Sequence, residues 1–355
     1  MKYIYILLAL FFSSALSAHT VVTSKNLKGI IPPAAPGLLD GKNPIVVDKT
    51  TAIQLGKALF WDTNLGNNGV ACASCHFHAG SDRRYNNQLN PGQLHLHKTS
   101  GQIFSELSST GGGVNYDLKL NDFPFFKLEN PDDISSKKLF ETDDVVGSAG
   151  VYAQDYNRSA FDTCTPSGDA IFHNTEAQLR QVTKRNAPTV INAAFNRRNF
   201  WDGRANNEFN GVSVFGPRDT AARIWVKKGR RIVKAKLRLI NSSLASQAVG
   251  PPGDMIEMSC KGKTFKDIAK KLLNKKPLDA QEVHMQDSIL ASLRHPSGLG
   301  LNISYEALIQ KAFNPIYWSG NTVETLSGMQ YTQTEVNFSL FLGLAIQLYE
   351  DTYIS

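Results

Sequence analysis

The hydrophobic positions of the chain gather into a few helical periods separated by long irregular stretches. Residues 49–61 carry Ile53, Leu55, Ala58, Leu59 and Phe60 at helical spacing. Helices are also expected over 176–182, 188–195, 265–273, 279–294, 305–313 and 334–349. The last shows the broadest apolar face, built from Val336, Phe338, Leu340, Phe341, Leu344, Ala345 and Leu348. Residues 62–130 are rich in Gly, Asn and Asp and have few apolar periods, 131–175 continue in loops and short helices, and 205–250 read as a long connection. An irregular stretch of that length is usually functional. No run alternates as a strand and no repeat is visible, so the expected class is all-α with long loops.

The N-terminus changes the compartment. Met1-Lys2-Tyr3 precedes an apolar run from Ile4 to Phe12 and the small-residue zone from Ser13 to Ala18. This is the pattern of a secretory signal peptide over 1–18, and the run falls well short of the roughly 20 residues that span a bilayer. No later stretch is long and apolar enough to span. The expectation is a periplasmic or otherwise exported protein, free in an oxidising compartment once the signal is cleaved. Residues 19–48 are Pro/Gly-rich and read as an extended lead-in, and 49–355 as a single domain.

The chain has 355 residues, of which 42% are hydrophobic and 19% charged, a globular balance that excludes a disordered chain. Four cysteines are too few for a disulfide scaffold. The net charge of +7 favours an anionic partner, and export makes nucleic acid the wrong one.

The chemistry starts at Cys72-Ala73-Ser74-Cys75-His76. C-x-x-C-H is the spacing of covalent c-type haem attachment: two thiols three positions apart add to the two vinyl groups of one haem, and the adjacent imidazole ligates the iron. The competing readings are a thioredoxin-like pair, which needs a βαβ setting not visible here, and half a zinc site completed by His78, His95 or His97. Motif and compartment together favour one covalent haem c.

Four segments, in order, resemble the bacterial di-haem cytochrome c peroxidase/MauG family. They are Leu55-Gly56-Lys57-Ala58-Leu59-Phe60-Trp61-Asp62 with the haem motif; Arg185-Asn186-Ala187-Pro188-Thr189-Val190-Ile191-Asn192-Ala193-Ala194-Phe195; Phe200-Trp201-Asp202-Gly203-Arg204-Ala205; and Gln247-Ala248-Val249-Gly250-Pro251-Pro252 ending in Glu257-Met258. The resemblance implies a cytochrome c-like haem domain with long loop insertions, reducing hydrogen peroxide with electrons from a donor protein. It implies that His76 is the proximal ligand of the peroxide-handling haem. Trp201 would be an electron relay, Glu257 the distal acid/base with Gln247 beside it, and Asn186 a calcium ligand. Met258 falls beside the distal acid rather than on the iron. For the sixth coordination position His78 lies too close to His76, whereas His95 and His97 have enough slack.

The sequence departs from that family in two ways, a missing second haem motif and an insertion between Trp201 and Gln247. It holds one C-x-x-C-H where the family has two, so the chain resembles the first, peroxidatic half. A partner chain would then bring the second haem, or the protein works with one. The alternatives are a non-catalytic electron-transfer cytochrome, a docking subunit of a multi-haem complex, or a MauG-like oxidase of a protein substrate. Residues 223–238 carry eight Lys/Arg and no acid. Read as a helix they form either a solvated cationic face or a docking surface for an acidic partner. Cys164 and Cys260 remain, as a disulfide or as two separate thiols.

Overall fold

The computed structural model describes residues 26–92, 103–104, 112–158, 162–174, 177–273, 275–326 and 328–355. The signal sequence over 1–18 and both His95 and His97 lie outside the described residues.

Two long helices form the spine. Helix α1 (Lys49–Trp61) begins at Asp48, whose carboxylate accepts from the Thr51 N–H at 3.0 Å, the bond an N-cap supplies to an otherwise unpaired donor. At the other end of the sequence, Thr332 and Glu335 form a capping box that starts the one-turn α5 (Gln333–Val336), and α6 (Phe338–Glu350) follows. All thirteen residues of α6 are buried. Their nearly unbroken apolarity is that of a central helix covered on all sides. The two helices pack at Gly56, where a Cβ would lie 2.0 Å from the Ala345 carbonyl oxygen, so this approach of the backbones requires glycine. Three shorter helices, α2 (Ser243–Ala248), α3 (Phe265–Leu273) and α4 (Tyr305–Ala312), complete the helical part.

The fold is not all-α. Among the described residues there are six α-helices and five separate two-stranded antiparallel sheets. The ribbons pair Phe126–Leu128 with Lys138–Glu141, Gln154–Asn157 with Thr163–Pro166, and Thr322–Leu326 with Met329–Thr332. Their strands are three to five residues long and mostly half-buried or exposed, and the buried Leu89–Asn90 pairs with Val145–Val146 over only two residues, so no alternating apolar signal is left. The cationic stretch is a fourth ribbon, not a helix: Ile224–Lys228 pairs with Arg231–Ala235 across a two-residue turn. Gly229, at φ 60°, takes the first central position of that turn, where such hairpins favour glycine. Asn337, at the joint between α5 and α6, clamps the ribbon through both backbone groups of Trp225.

Three further helical expectations fail. Over 279–294 the side chains of His284 and Asp287 accept from nearby backbone N–H groups, a local alternative to the helical ladder, and only a 3-10 turn forms at Ala291–Leu293. Over 188–195 the chain runs extended against Ala79 and turns only at Ala193–Phe195. The described part of 176–182 is also extended, bonded to Phe172 and Val151. Cys164 and Cys260 are joined as a disulfide with a Cα–Cα distance of 6.3 Å.

Candidate functional site

The C-x-x-C-H sequence leaves α1 through a tight loop. Cys72–Ser74 forms a 3-10 turn that Ser74 closes by accepting from the Ala71 N–H, and the His76 N–H returns to the Cys72 carbonyl. These turns put both thiols and the imidazole on one wall of a cavity of about 360 Å³. The opposite wall comes from far along the chain. Helix α2 supplies Gln247, and the 3-10 turn Pro251–Gly253 leads into Asp254, whose carboxylate accepts from the N–H groups of Ile256 and Glu257 and so fixes the Glu257 backbone. Asn67 N–H bonds the Met258 carbonyl at 2.7 Å, which ties the two walls together. Gly150 admits the Glu257 loop, since a Cβ there would meet the Ile256 carbonyl oxygen at 1.9 Å.

His76 is oriented by one bond. Its Nδ1 lies 2.7 Å from the Pro188 carbonyl, which can only accept, so the proton sits on Nδ1 and Nε2 keeps a free lone pair. Burial lowers the imidazole pKa and keeps the ring in the neutral form that can ligate a metal. Cys72 and Cys75 are both free thiols. Burial pushes both up, Cys75 to about 11, where the guanidinium of Arg84 opposes the rise from 3.5 Å, and Cys72 further. Two unpaired thiols beside an oriented neutral imidazole suit the two thioether bonds and one iron ligand of a covalent haem. Three cations at the cavity, Lys184, Arg185 and Arg204, suit its two carboxylates.

Glu257 faces into the cavity. Burial first, and then the Asp254 carboxylate, raises it to about 7. Gln247 Oε1 is buried without a hydrogen-bond partner, a polar group facing the same space. Trp201 stands at the rim, 69% exposed, and its Nε1–H donates to the Asn186 carbonyl at 2.9 Å. Asn186 Nδ2 donates to the Asp82 carbonyl, while Oδ1 is buried and unpartnered. One free oxygen does not make a calcium cage, which takes six to eight oxygens. No group of three or more His, Cys, Asp or Glu among the described residues could hold a metal ion. The residues at hand therefore do not fit a calcium ion by themselves. Met258 is buried on the Glu257 wall, and His78 is exposed and outside the cavity lining.

The cavity thus gathers Cys72, Cys75, His76, Asn186, Trp201, Gln247 and Glu257 in one place. Sequence reasoning missed Glu350, a buried carboxyl on α6 that also lines it and that burial and the neighbouring Asp351 raise to about 8. A lone acid at the end of the most apolar helix was the available signal. Arg84 and Pro188 were missed as well, because a guanidinium beside a thiol and a carbonyl beside an imidazole leave no trace in spacing.

A family model described as di-haem cytochrome c peroxidase matches residues 50–122 and 162–355. No curated protein and no solved structure matches the chain. No helix among the described residues is long and apolar enough to cross a membrane.

Proposed function

Because the chain belongs to the di-haem cytochrome c peroxidase family, we propose that it is an exported haem c protein that reduces hydrogen peroxide to water with electrons from a donor protein. The observation that carries this reading is the convergence, on one cavity, of the thiol pair and imidazole with a carboxyl raised to about 7. A group that titrates near neutrality can take a proton in one form and return it in the other, and breaking a peroxide bond needs both.

Cys72 and Cys75 would tether the haem, and His76 would present Nε2 to its iron while Pro188 holds the ring. Haem bound there supplies the metal centre at which the peroxide bond is broken and the redox equivalents for it. Glu257 would take the proton from one peroxide oxygen and deliver it to the other. Gln247 Oε1, unpaired in the protein, would accept a hydrogen bond from the incoming peroxide and orient it. Trp201, at the rim, would pass electrons inward, from the donor protein directly or through a second haem-bearing chain. Two electrons and two protons per peroxide then yield two waters. No step is routed through calcium.

The test is purification of the full chain after export, with haem counted per chain by intact mass and by pyridine haemochrome. One haem on peptide 72–76, a five-coordinate ferric spectrum and fast reaction with peroxide support the reading. Bound zinc, or a low-spin six-coordinate spectrum in every redox state, overturns it. The latter would point to an electron carrier.

A further inference from the structure

From Phe60, which lines the cavity beside His76, the structure holds an aromatic chain that the peroxidase reading does not use. The Phe60 ring lies 6.1 Å from the His76 imidazole, centroid to centroid, 5.6 Å from Tyr349 in an edge-on arrangement, and 5.9 Å from Trp61. Trp61 Nε1–H donates to the Tyr349 hydroxyl at 2.8 Å. The Tyr349 hydroxyl in turn shares a hydrogen bond with that of Tyr353, their rings 5.1 Å apart. Phe60 and Tyr349 are each 1% exposed, whereas Trp61 and Tyr353 are half-buried and reach the surface.

Tyrosine and tryptophan are the side chains a strong one-electron oxidant can oxidise within a folded protein, and here they run to solvent from Phe60, the one ring that separates them from His76. A phenol that loses an electron becomes a strong acid and must lose its proton at once. Because Trp61 already donates to the Tyr349 oxygen, the Tyr349 proton has one outlet, the hydroxyl of Tyr353. Simple packing of apolar rings would not need three polar heads on a single hydrogen-bonded string.

We infer that Trp61, Tyr349 and Tyr353 form a one-electron relay from the His76 side of the cavity to the surface, separate from Trp201. It rests on the haem reading given above. One electron leaves Tyr349 for the peroxide-oxidised site across Phe60. The Tyr349 proton passes to the Tyr353 oxygen while Tyr353 releases its own proton to water. Tyr353 then returns one electron and the proton it received to Tyr349 along their shared hydrogen bond, which leaves the radical on Tyr353. A one-electron donor protein at the surface returns the electron, and water returns the proton.

The experiment treats the haem-bearing full chain with peroxide and a nitroso spin trap, without donor, and maps adducts by peptide mass spectrometry. The relay predicts an adduct on Tyr353 that is lost in Tyr349→Phe, which keeps the ring, and that moves to Trp61 in Tyr353→Phe. Tyr85, 60% exposed, stays unlabelled. Labelling of Tyr85 ahead of Tyr353, or equal Tyr353 labelling in wild type and Tyr349→Phe, overturns the relay and leaves the haem reading intact. If the same spectra show no haem on peptide 72–76, the haem reading falls and the relay with it.

Discussion

Trp201 and Asn186 share one hydrogen bond, from the indole Nε1–H to the backbone carbonyl at 2.9 Å. A ring that is 69% exposed is thereby held in a single orientation at the rim of the cavity. Trp201→Phe keeps an aromatic ring and removes the bond. Donor-driven peroxide turnover should fall, while stability drops by only about 0.5–1.5 kcal/mol. Steady-state kinetics beside a thermal melt check this, and turnover unchanged at wild-type donor concentration would remove Trp201 from the electron path.

Glu257→Gln keeps the shape and removes the carboxyl to which the proposed proton transfer is assigned. The rate of reaction with peroxide should drop roughly 10²–10⁴-fold. Because the carboxyl is raised to about 7, the wild-type rate should rise with pH through that value as the base form accumulates, and the variant should be flat there. Stopped-flow mixing across pH 5–9 is the measurement, and a variant that retained the same inflection would assign it to another group.

Glu350 gives the fold a pH dependence of defined sign. Its folded-state pKa, about 8, exceeds the ordinary 4.5, so the stability linked to its protonated form is complete below 4.5 and is lost as pH rises through 8. Asp351, raised to about 7 chiefly by burial, acts in the same direction. Glu350→Gln should make the decline shallower. At pH 8 it should leave the chain more stable than wild type by on the order of a few kcal/mol. Denaturant melts at pH 5 and pH 8 decide it, and equal slopes for the two proteins would rule it out.

The disulfide between Cys164 and Cys260 links the ribbon Thr163–Pro166 to the segment just after Glu257. Cys260→Ser should cost roughly 2–5 kcal/mol, given the 96-residue separation that the bond closes. Non-reducing peptide mapping followed by melts of wild type and variant tests both the pairing and its weight.

The ribbon Ile224–Lys228 with Arg231–Ala235 exposes Lys228, Arg230 and Arg231 around its turn, and no acid stands in that stretch. If an acidic donor docks there, raising ionic strength should slow donor-driven turnover and leave the reaction with peroxide alone unchanged. Charge reversal at Arg230 and Arg231 should mimic high salt, and salt-independent donor kinetics would exclude this face.

The sequence made legible what depends on strong local signals. The period of Lys49–Trp61, Phe265–Leu273 and Phe338–Glu350 is written in apolar side chains that end up buried. The motif residues Cys72, Cys75, His76, Gln247 and Glu257 do share a cavity. The strands were illegible because each pair joins only two to five residues, most of them half-buried or exposed. The run from Arg223 to Arg238 misled because its charges obscure the alternation of Ile224 with Val226 and of Val233 with Ala235, which face each other across the turn at Gly229. The bond from His76 to Pro188 spans 112 positions and fixes the imidazole tautomer, and no spacing rule reaches that far.

The distance in sequence between the two walls of the cavity has a consequence for biosynthesis. A chain that emerges N-terminus first presents Cys72-Ala73-Ser74-Cys75-His76 long before Gln247, Glu257 or the helix bearing Glu350 exists. Under the haem reading, both thiols would then be reachable by a large planar prosthetic group and by whatever machinery attaches it. Gly56 has meanwhile left a notch in the first helix for Ala345 of the last. That notch can close only once the last helix has been made, and under the haem reading it would then shut the pocket around a group already fastened to the chain.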